Sequence, residues 1–221
     1  MGLFKKITSL LGRAQVDNNE ASNLLDLGSA LHVGATEPMS TLTSVMTTYF
    51  ESKGKETVTP DELFNEIQII YNEALILSRQ NRDTSLECSI LFNLGRLYQD
   101  PPKKHIFLKN PMNAMKAHLD QIEQELKTGH STRPVFDSDA TNARQLLAIS
   151  YYEEALKQAK EVIDTTVEVC CLLNIATVYR FLRNVQQHQR YIKQATDRVE
   201  YVTDHTMKAK LIQAIRLEPT L

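Results

Sequence analysis

Two stretches of this chain follow one template, and this repetition constrains the fold more than any other feature. Residues 91–98 read Leu-Phe-Asn-Leu-Gly-Arg-Leu-Tyr, and residues 172–179 read Leu-Leu-Asn-Ile-Ala-Thr-Val-Tyr. In a helix the first apolar residue, the fourth residue and the Tyr fall on one face. Gly95 and Ala176 remove side-chain bulk where a neighbouring helix would cross. The template therefore predicts stacked pairs of helices.

The composition is that of an ordinary globular domain. The chain has 221 residues, 42% of them hydrophobic and 24% charged, which is enough to bury a core without disulfides. Its three cysteines lack CxxC spacing and fit small apolar positions in helix interfaces. No window approaches the length of a membrane span. We therefore expect a cytoplasmic protein whose contact with a membrane, if any, is peripheral.

The sequence argues against several classes of chemistry. A net charge of −2 and the lack of Trp disfavour nucleic-acid binding. The six His are scattered without metal-site spacing, and no GxGxxG, P-loop or GxSxG motif is present. No Cys has an orienting His nearby. The sequence thus predicts no metal, no cofactor and no enzymatic activity.

Residues 1–13 are predicted to form an amphipathic helix, because apolar and basic side chains separate onto opposite faces. Three roles stay open for it: association with an anionic membrane surface, docking on the rest of the chain, or binding a partner helix. In the first role the membrane-binding residues are Leu3, Phe4, Lys5, Lys6, Ile7, Leu10 and Leu11.

Residues 14–37 are predicted to be a linker with one weak helix, since Gly28 and Gly34 interrupt a short leucine cluster. A helical domain follows over residues 38–218. Its strongest start signal is Thr59 as an N-cap before Pro60. The predicted helices span residues 39–52, 60–80, 84–99, 112–126, 139–163 with an interruption near Ser150, 167–182, 185–201, and 204 to the residue before Pro219. No strand pattern competes, so an all-α fold is expected.

The template resembles the first helix of the tetratricopeptide repeat, W-x2-L-G-x2-Y, with Leu in place of Trp. Residues 152–159 resemble the second helix of such a repeat. The small residue of the last second helix would fall at His188, which departs from the pattern. The resemblance implies antiparallel helix pairs stacked as a short right-handed array. An irregular helical bundle, with the template as ordinary core packing, is the alternative.

In that family the first helices line a groove that holds a peptide or a helix of a protein partner. Carried over by position, the resemblance implies that the partner-binding residues are Phe92, Asn93, Arg96, Leu173, Asn174 and Thr177, with Ser89 and Cys170 beside them. The Lys and Arg that clamp a terminal carboxylate in chaperone-binding members have no equivalent at Ser89, Phe92, Cys170 or Leu173. The recurring Asn could bond a peptide backbone, or it could bond another helix of the chain.

The function predicted from these observations is a non-enzymatic adaptor or chaperone-like scaffold that binds a protein partner. The alternative is a peripheral membrane-associated structural or assembly protein, viral or bacterial. In that case the helical body would form a homo-oligomer and the first helix would touch lipid. Loss of partner binding without unfolding in Asn93→Ala with Asn174→Ala would support the adaptor, whereas a concentration-dependent oligomer that sediments with liposomes would favour the assembly protein.

Overall fold

A computed structural model describes residues 20–36, 43–103, 106–107, 123, 127 and 138–218 of the chain. The predicted amphipathic helix over residues 1–13 lies outside them, as does nearly all of the helix predicted over 112–126. The elements are α1 (Glu20–Thr36), α2 (Thr43–Ser52), β1 (Thr57–Val58), α3 (Pro60–Gln80), α4 (Thr84–Gln99), β2 (Ile106–Phe107), α5 (Ser138–Glu161), α6 (Thr165–Phe181), α7 (Val185–Val199) and α8 (His205–Leu217).

The described residues are almost entirely helical, which confirms the all-α class. Helix α3 begins where the sequence predicts: the Thr59 hydroxyl accepts the Glu62 backbone N–H, and the Glu62 carboxylate accepts the N–H of Thr59. This capping box satisfies two N–H groups that the first turn leaves without helical partners. Helix α5 runs without a break, so the predicted interruption near Ser150 is wrong.

One type of turn occurs at three connections, between α3 and α4, between α5 and α6, and between α6 and α7. The last-but-one residue of each turn has left-handed backbone, with φ of 55° at Arg82, 59° at Ile163 and 57° at Arg183. The following residue caps the next helix by accepting the backbone N–H three positions on. These caps are Asp83, Asp164 and Asn184. Such short turns force each helix to fold back along the previous one.

The helices pack in chain order around one core. Helix α1 packs on α2 and α3, α3 on α4, α4 on α5, α5 on α6, and α6 on α7, while α8 closes the end against α7 and α6. The largest fully buried side chains are Tyr71, Tyr152, Leu31, Met46, Leu63, Ile67, Ile90, Leu91, Leu94, Leu97 and Leu172. Both predicted templates therefore lie on helices of this core.

The segment predicted to be a linker with one weak helix contains helix α1 over Glu20–Thr36, and this helix packs into the core. Leu27 and Leu31 are 3% and 0% exposed, and His32 is 4% exposed. The imidazole Nε2 of His32 lies 3.0 Å from the carbonyl oxygen of Asp100, just beyond α4. The packed helical part of the chain therefore includes α1, before the predicted boundary at residue 38.

A short strand pair departs from the purely helical expectation. Thr57 pairs with Phe107 and Val58 with Ile106 in antiparallel register. Val58 is fully buried, and Ile106 packs against the core. This packing against the core explains the apolar Ile106 in a loop that also holds Pro and Lys residues. The pair also ties the connection before α3 to the segment after α4.

Candidate functional site

The structure places the two templates on α4 and α6, which contact each other and both pack on α5. On α4 the predicted partner residues Phe92 and Asn93 are half-buried, and Arg96 is exposed. On α6, Leu173, Asn174 and Thr177 are all half-buried. We call these six residues the template face. None of them is sealed in the core, so each keeps some surface for contact.

The small template residue allows a close helix crossing. A β-carbon on Gly95 would stand 2.6 Å from Cε1 of Tyr152, which is far inside a normal contact. In the second copy the ring of His188 occupies the corresponding crossing, with Nδ1 3.0 Å from the carbonyl oxygen of Ala176. His188 is 2% exposed. At this position the repeat pattern has a small residue, whereas here the buried, hydrogen-bonded ring of His188 fills the space between the helices.

The template Tyr residues join neighbouring helices. Tyr98 of α4 contacts Phe64 of α3 edge to face at 5.2 Å between ring centroids, and contacts Tyr151 of α5 at 5.3 Å. Tyr179 of α6 stacks on Tyr191 of α7 at 5.6 Å. Aromatic pairs of this geometry stabilise a helix interface beyond simple burial. The template Tyr residues therefore pack neighbouring helices together and are not part of the template face.

The two template Asn residues make the same local contact. Nδ2 of Asn93 donates to the carbonyl of Ser89, and Nδ2 of Asn174 donates to the carbonyl of Cys170, both at 2.9 Å. Both hydrogen bonds lie within a single helix, so neither of them links two helices. Among the described residues, neither side-chain oxygen receives a hydrogen bond. That oxygen can accept a bond from another molecule.

A third copy of the template, which the sequence analysis missed, lies on α1. Residues 24–31 read Leu-Leu-Asp-Leu-Gly-Ser-Ala-Leu, with Asp26 in place of the Asn and Leu31 in place of the Tyr. The crossing is the same, because a β-carbon on Gly28 would stand 2.5 Å from Cε1 of Tyr71 in α3. The Leu-x-x-Leu-Gly spacing was visible in the sequence and was the signal that could have identified the helix.

The positive charge of Arg96 on α4 influences titratable groups in two other helices. Burial lowers the pKa of His32 in α1, and the nearby Arg96 lowers it further. Burial raises the pKa of the Cys170 thiol in α6, while Arg96 opposes that rise. Its guanidinium thus acts on groups in the helices on both sides of α4. Within the described ranges no carboxylate lies within ion-pair distance of Arg96.

A cleft of about 520 Å³ opens beside the template face, where the C-terminal ends of α4 and α6 approach α5. It contains one template-face residue, Thr177, and two cations. Its lining residues are Gln99, Asp100, Lys103, Gln145, Thr177, Val178, Arg180 and Phe181. The Lys103 amino group pairs with Asp100 at 2.6 Å. The cleft is therefore polar along one side and partly apolar at Phe181.

The three cysteines lie in the interfaces of α4, α5 and α6. Cys88 and Cys171 are buried, Cys170 is half-buried, and none is in a disulfide. Cys88 Sγ donates to the carbonyl of Ala155 at 3.2 Å. Burial raises the pKa of the Cys88 thiol to about 11. A thiol with so high a pKa is a poor nucleophile at neutral pH.

Comparison with known proteins gives no relative: no family model matches the chain, and neither a curated protein nor a solved structure matches it significantly. Within the described ranges, no group of three or more His, Cys, Asp or Glu side chains is arranged to hold a metal ion. None of the described helices has the length and apolar character needed to cross a bilayer.

Proposed function

We propose that this chain is a non-enzymatic adaptor or chaperone-like scaffold, in which a tetratricopeptide-like array holds a peptide or helix of a protein partner. The observation that carries this proposal is the pairing of a half-buried apolar residue with an Asn on both α4 and α6. Phe92 precedes Asn93, and Leu173 precedes Asn174. The same pair of residue types thus occurs on two helices that both pack on α5.

Each part of the pair suits the recognition of a peptide. A half-buried Phe or Leu loses its remaining apolar surface to a partner at little entropic cost, because it is already packed against the core. The Asn oxygen accepts a backbone N–H of the partner, which contributes about 1 kcal/mol per bond. Arg96 adds a cation that favours a partner with an acidic residue nearby.

The proposal is tested by mapping where a bound peptide lies. A peptide is selected from a phage-displayed library on the full chain and is titrated into isotope-labelled protein. We expect the side-chain amide signals of Asn93 and Asn174 to shift in the nuclear magnetic resonance spectrum. The amides of Asn65 in α3 and Asn142 in α5, which are also in helices and exposed, should stay in place. A peptide that shifts the amide signals of Asn65 and Asn142 but not those of Asn93 and Asn174 contradicts the proposal.

The peripheral membrane role is the second candidate, and it is favoured by the amphipathic pattern of residues 1–13. In the predicted helix, Lys5 and Lys6 would fall outside the face formed by the five apolar side chains of Leu3, Phe4, Ile7, Leu10 and Leu11. Such a helix lies in a bilayer interface and is held by apolar burial and by attraction to anionic lipid. The two roles are compatible, since they use different parts of the chain.

A further inference from the structure

Glu218, the residue that follows α8, places its carboxylate on the template face. Oγ1 of Thr177 lies 3.1 Å from Oε1 of Glu218, and Nη1 of Arg180 lies 3.0 Å from Oε2. The Glu218 side chain is 16% exposed, so water is largely excluded from it. A carboxylate of the chain itself thus occupies the position where the resemblance places a partner.

The carboxylate is bound incompletely. Its Oε2 atom is buried and, within the described part of the chain, accepts no well-aligned hydrogen bond, although Arg180 stands at ion-pair distance. An ion pair without an aligned bond recovers less of the cost of removing a carboxylate from water. A carboxylate that approached Arg180 from a better direction would therefore bind more favourably than Glu218 does.

Release of Glu218 would leave few groups without partners. The Thr177 hydroxyl has one proton, and the carbonyl of Leu173 is a second acceptor for it at 3.0 Å. The Arg180 side chain is 36% exposed and can be hydrated. Glu218 lies beyond the last residue of α8, and its backbone N–H bonds only Ile215 at 3.3 Å. The carboxylate can leave while the helix stays folded.

Space for another chain segment lies directly beside these residues. Thr177 and Arg180 both line the cleft described above, together with Phe181, which is 50% exposed. The other cation of the cleft, Lys103, is 73% exposed and is paired with Asp100. An acidic side chain with an apolar neighbour would match Arg180 and Phe181 in charge and in polarity.

We propose that Thr177 and Arg180 form an acid-binding site for a Glu or Asp side chain of a peptide partner, and that Glu218 occupies this site in the free protein. The inference rests on the proposed function, because it places an acidic residue of the proposed partner on the template face. It also makes Glu218 an internal competitor for that site. A tethered carboxylate has a high effective concentration, so it lowers the apparent affinity for a free one.

The test compares the wild-type chain with the Glu218→Gln variant, which removes the negative charge of the tethered side chain and leaves the Arg180 cation in place. The probes are the peptide acetyl-Ala-Leu-Glu-Ala-Leu-amide and its counterpart with Gln in place of Glu. We expect the Glu peptide to shift the backbone amide signal of Thr177 and the Nε–H signal of Arg180 in the variant. The apparent affinity of the Glu peptide should be about tenfold lower for the wild type than for the variant. This is the value expected if Glu218 leaves the site free about one tenth of the time.

Two controls keep the test specific. Adding Arg180→Gln to the Glu218→Gln variant should abolish binding of the Glu peptide, whereas adding Arg190→Gln, an exposed change on α7, should not. Equal binding of the Glu and Gln peptides, or equal binding to the wild type and Glu218→Gln, overturns the proposal. The library-selected peptide reports on Asn93 and Asn174 separately, so the acid site can fail while the adaptor function stands.

Discussion

Gly95 of α4 lies against the ring of Tyr152 in α5, so closely that a β-carbon would stand 2.6 Å from Cε1 and 2.7 Å from Cδ1. The ring cannot move away freely, because Tyr152 is fully buried and its hydroxyl donates to Gln99 Oε1 at 2.6 Å. This contact sets the distance between the two helices. It explains why the template needs a small residue at this position.

Gly95→Ala should therefore destabilise the protein. Helix propensity alone favours Ala over Gly by about 1 kcal/mol, but overpacking against a fixed ring costs about 1–3 kcal/mol. We expect a net loss of about 1 kcal/mol in the free energy of unfolding, measured by urea denaturation. In a Tyr152→Leu background the same Gly95→Ala change should become stabilising. A stabilising effect in the wild-type background would show that the crossing is looser than described.

A second stability prediction concerns the ion pair between α6 and α7. The Glu168 side chain is 5% exposed, and Arg198 Nη2 lies 2.6 Å from its Oε2. Arg198→Met leaves the buried carboxylate without its cation, so we expect a loss of about 2–3 kcal/mol in urea unfolding. Arg190→Met is the matched control on the same helix, because Arg190 is exposed, lies over the ring of Tyr191, and forms no ion pair with a described carboxylate. Similar losses in the two variants contradict the prediction.

The stability of the protein should fall at mildly acidic pH, in part through His32. Burial lowers the pKa of this imidazole in the folded state, so between that lowered pKa and the ordinary pKa of 6.5 the unfolded chain binds more protons than the folded chain. The contribution of His32 to the free energy of unfolding is present above pH 6.5 and is lost as the pH falls below that value. Between pH 7.5 and 5.5 we expect the wild type to lose up to about 1 kcal/mol more than His32→Gln. Parallel losses in both proteins would mean that other groups cause the acid sensitivity.

Residues 1–13 are predicted to bind anionic lipid, and a fusion of residues 1–16 to a fluorescent protein tests this directly. The fusion should sediment with vesicles that contain phosphatidylserine and much less with pure phosphatidylcholine, because Lys5 and Lys6 favour an anionic surface. Leu3→Asp with Ile7→Asp should abolish sedimentation, since it places charge on the apolar face. A fusion that stays soluble with both kinds of vesicle removes the membrane role.

Local signals predicted much of the fold. The Thr59 cap and the following Pro60 fixed the start of α3, and the apolar spacing predicted that helix and α4 at the bounds observed. These signals work because a helix start depends on neighbours within a few residues. The structure leaves Phe92 and Leu173 half-buried on their helices, and their predicted role in partner binding stays a prediction.

The errors arose where distant residues decide the structure. Gly28 reads as a helix breaker in isolation, yet the ring of Tyr71, from a helix much later in the chain, requires a residue without a side chain there. The pairing of Val58 with Ile106 is equally non-local. The contact of Glu218 with Thr177 joins residues far apart in sequence, so no spacing rule could reveal it.

The central claim is that the template face binds a partner through its two Asn residues, and the most direct test is the affinity of the library-selected peptide for three proteins. Asn93→Ala with Asn174→Ala should weaken binding about tenfold or more, since two hydrogen bonds of about 1 kcal/mol are lost. The wild type and the control Asn65→Ala with Asn142→Ala should bind alike. All three should unfold at nearly the same urea concentration, because the side-chain amide of each template Asn donates within its own helix. Unchanged affinity of the template-face variant, or its unfolding, contradicts the claim.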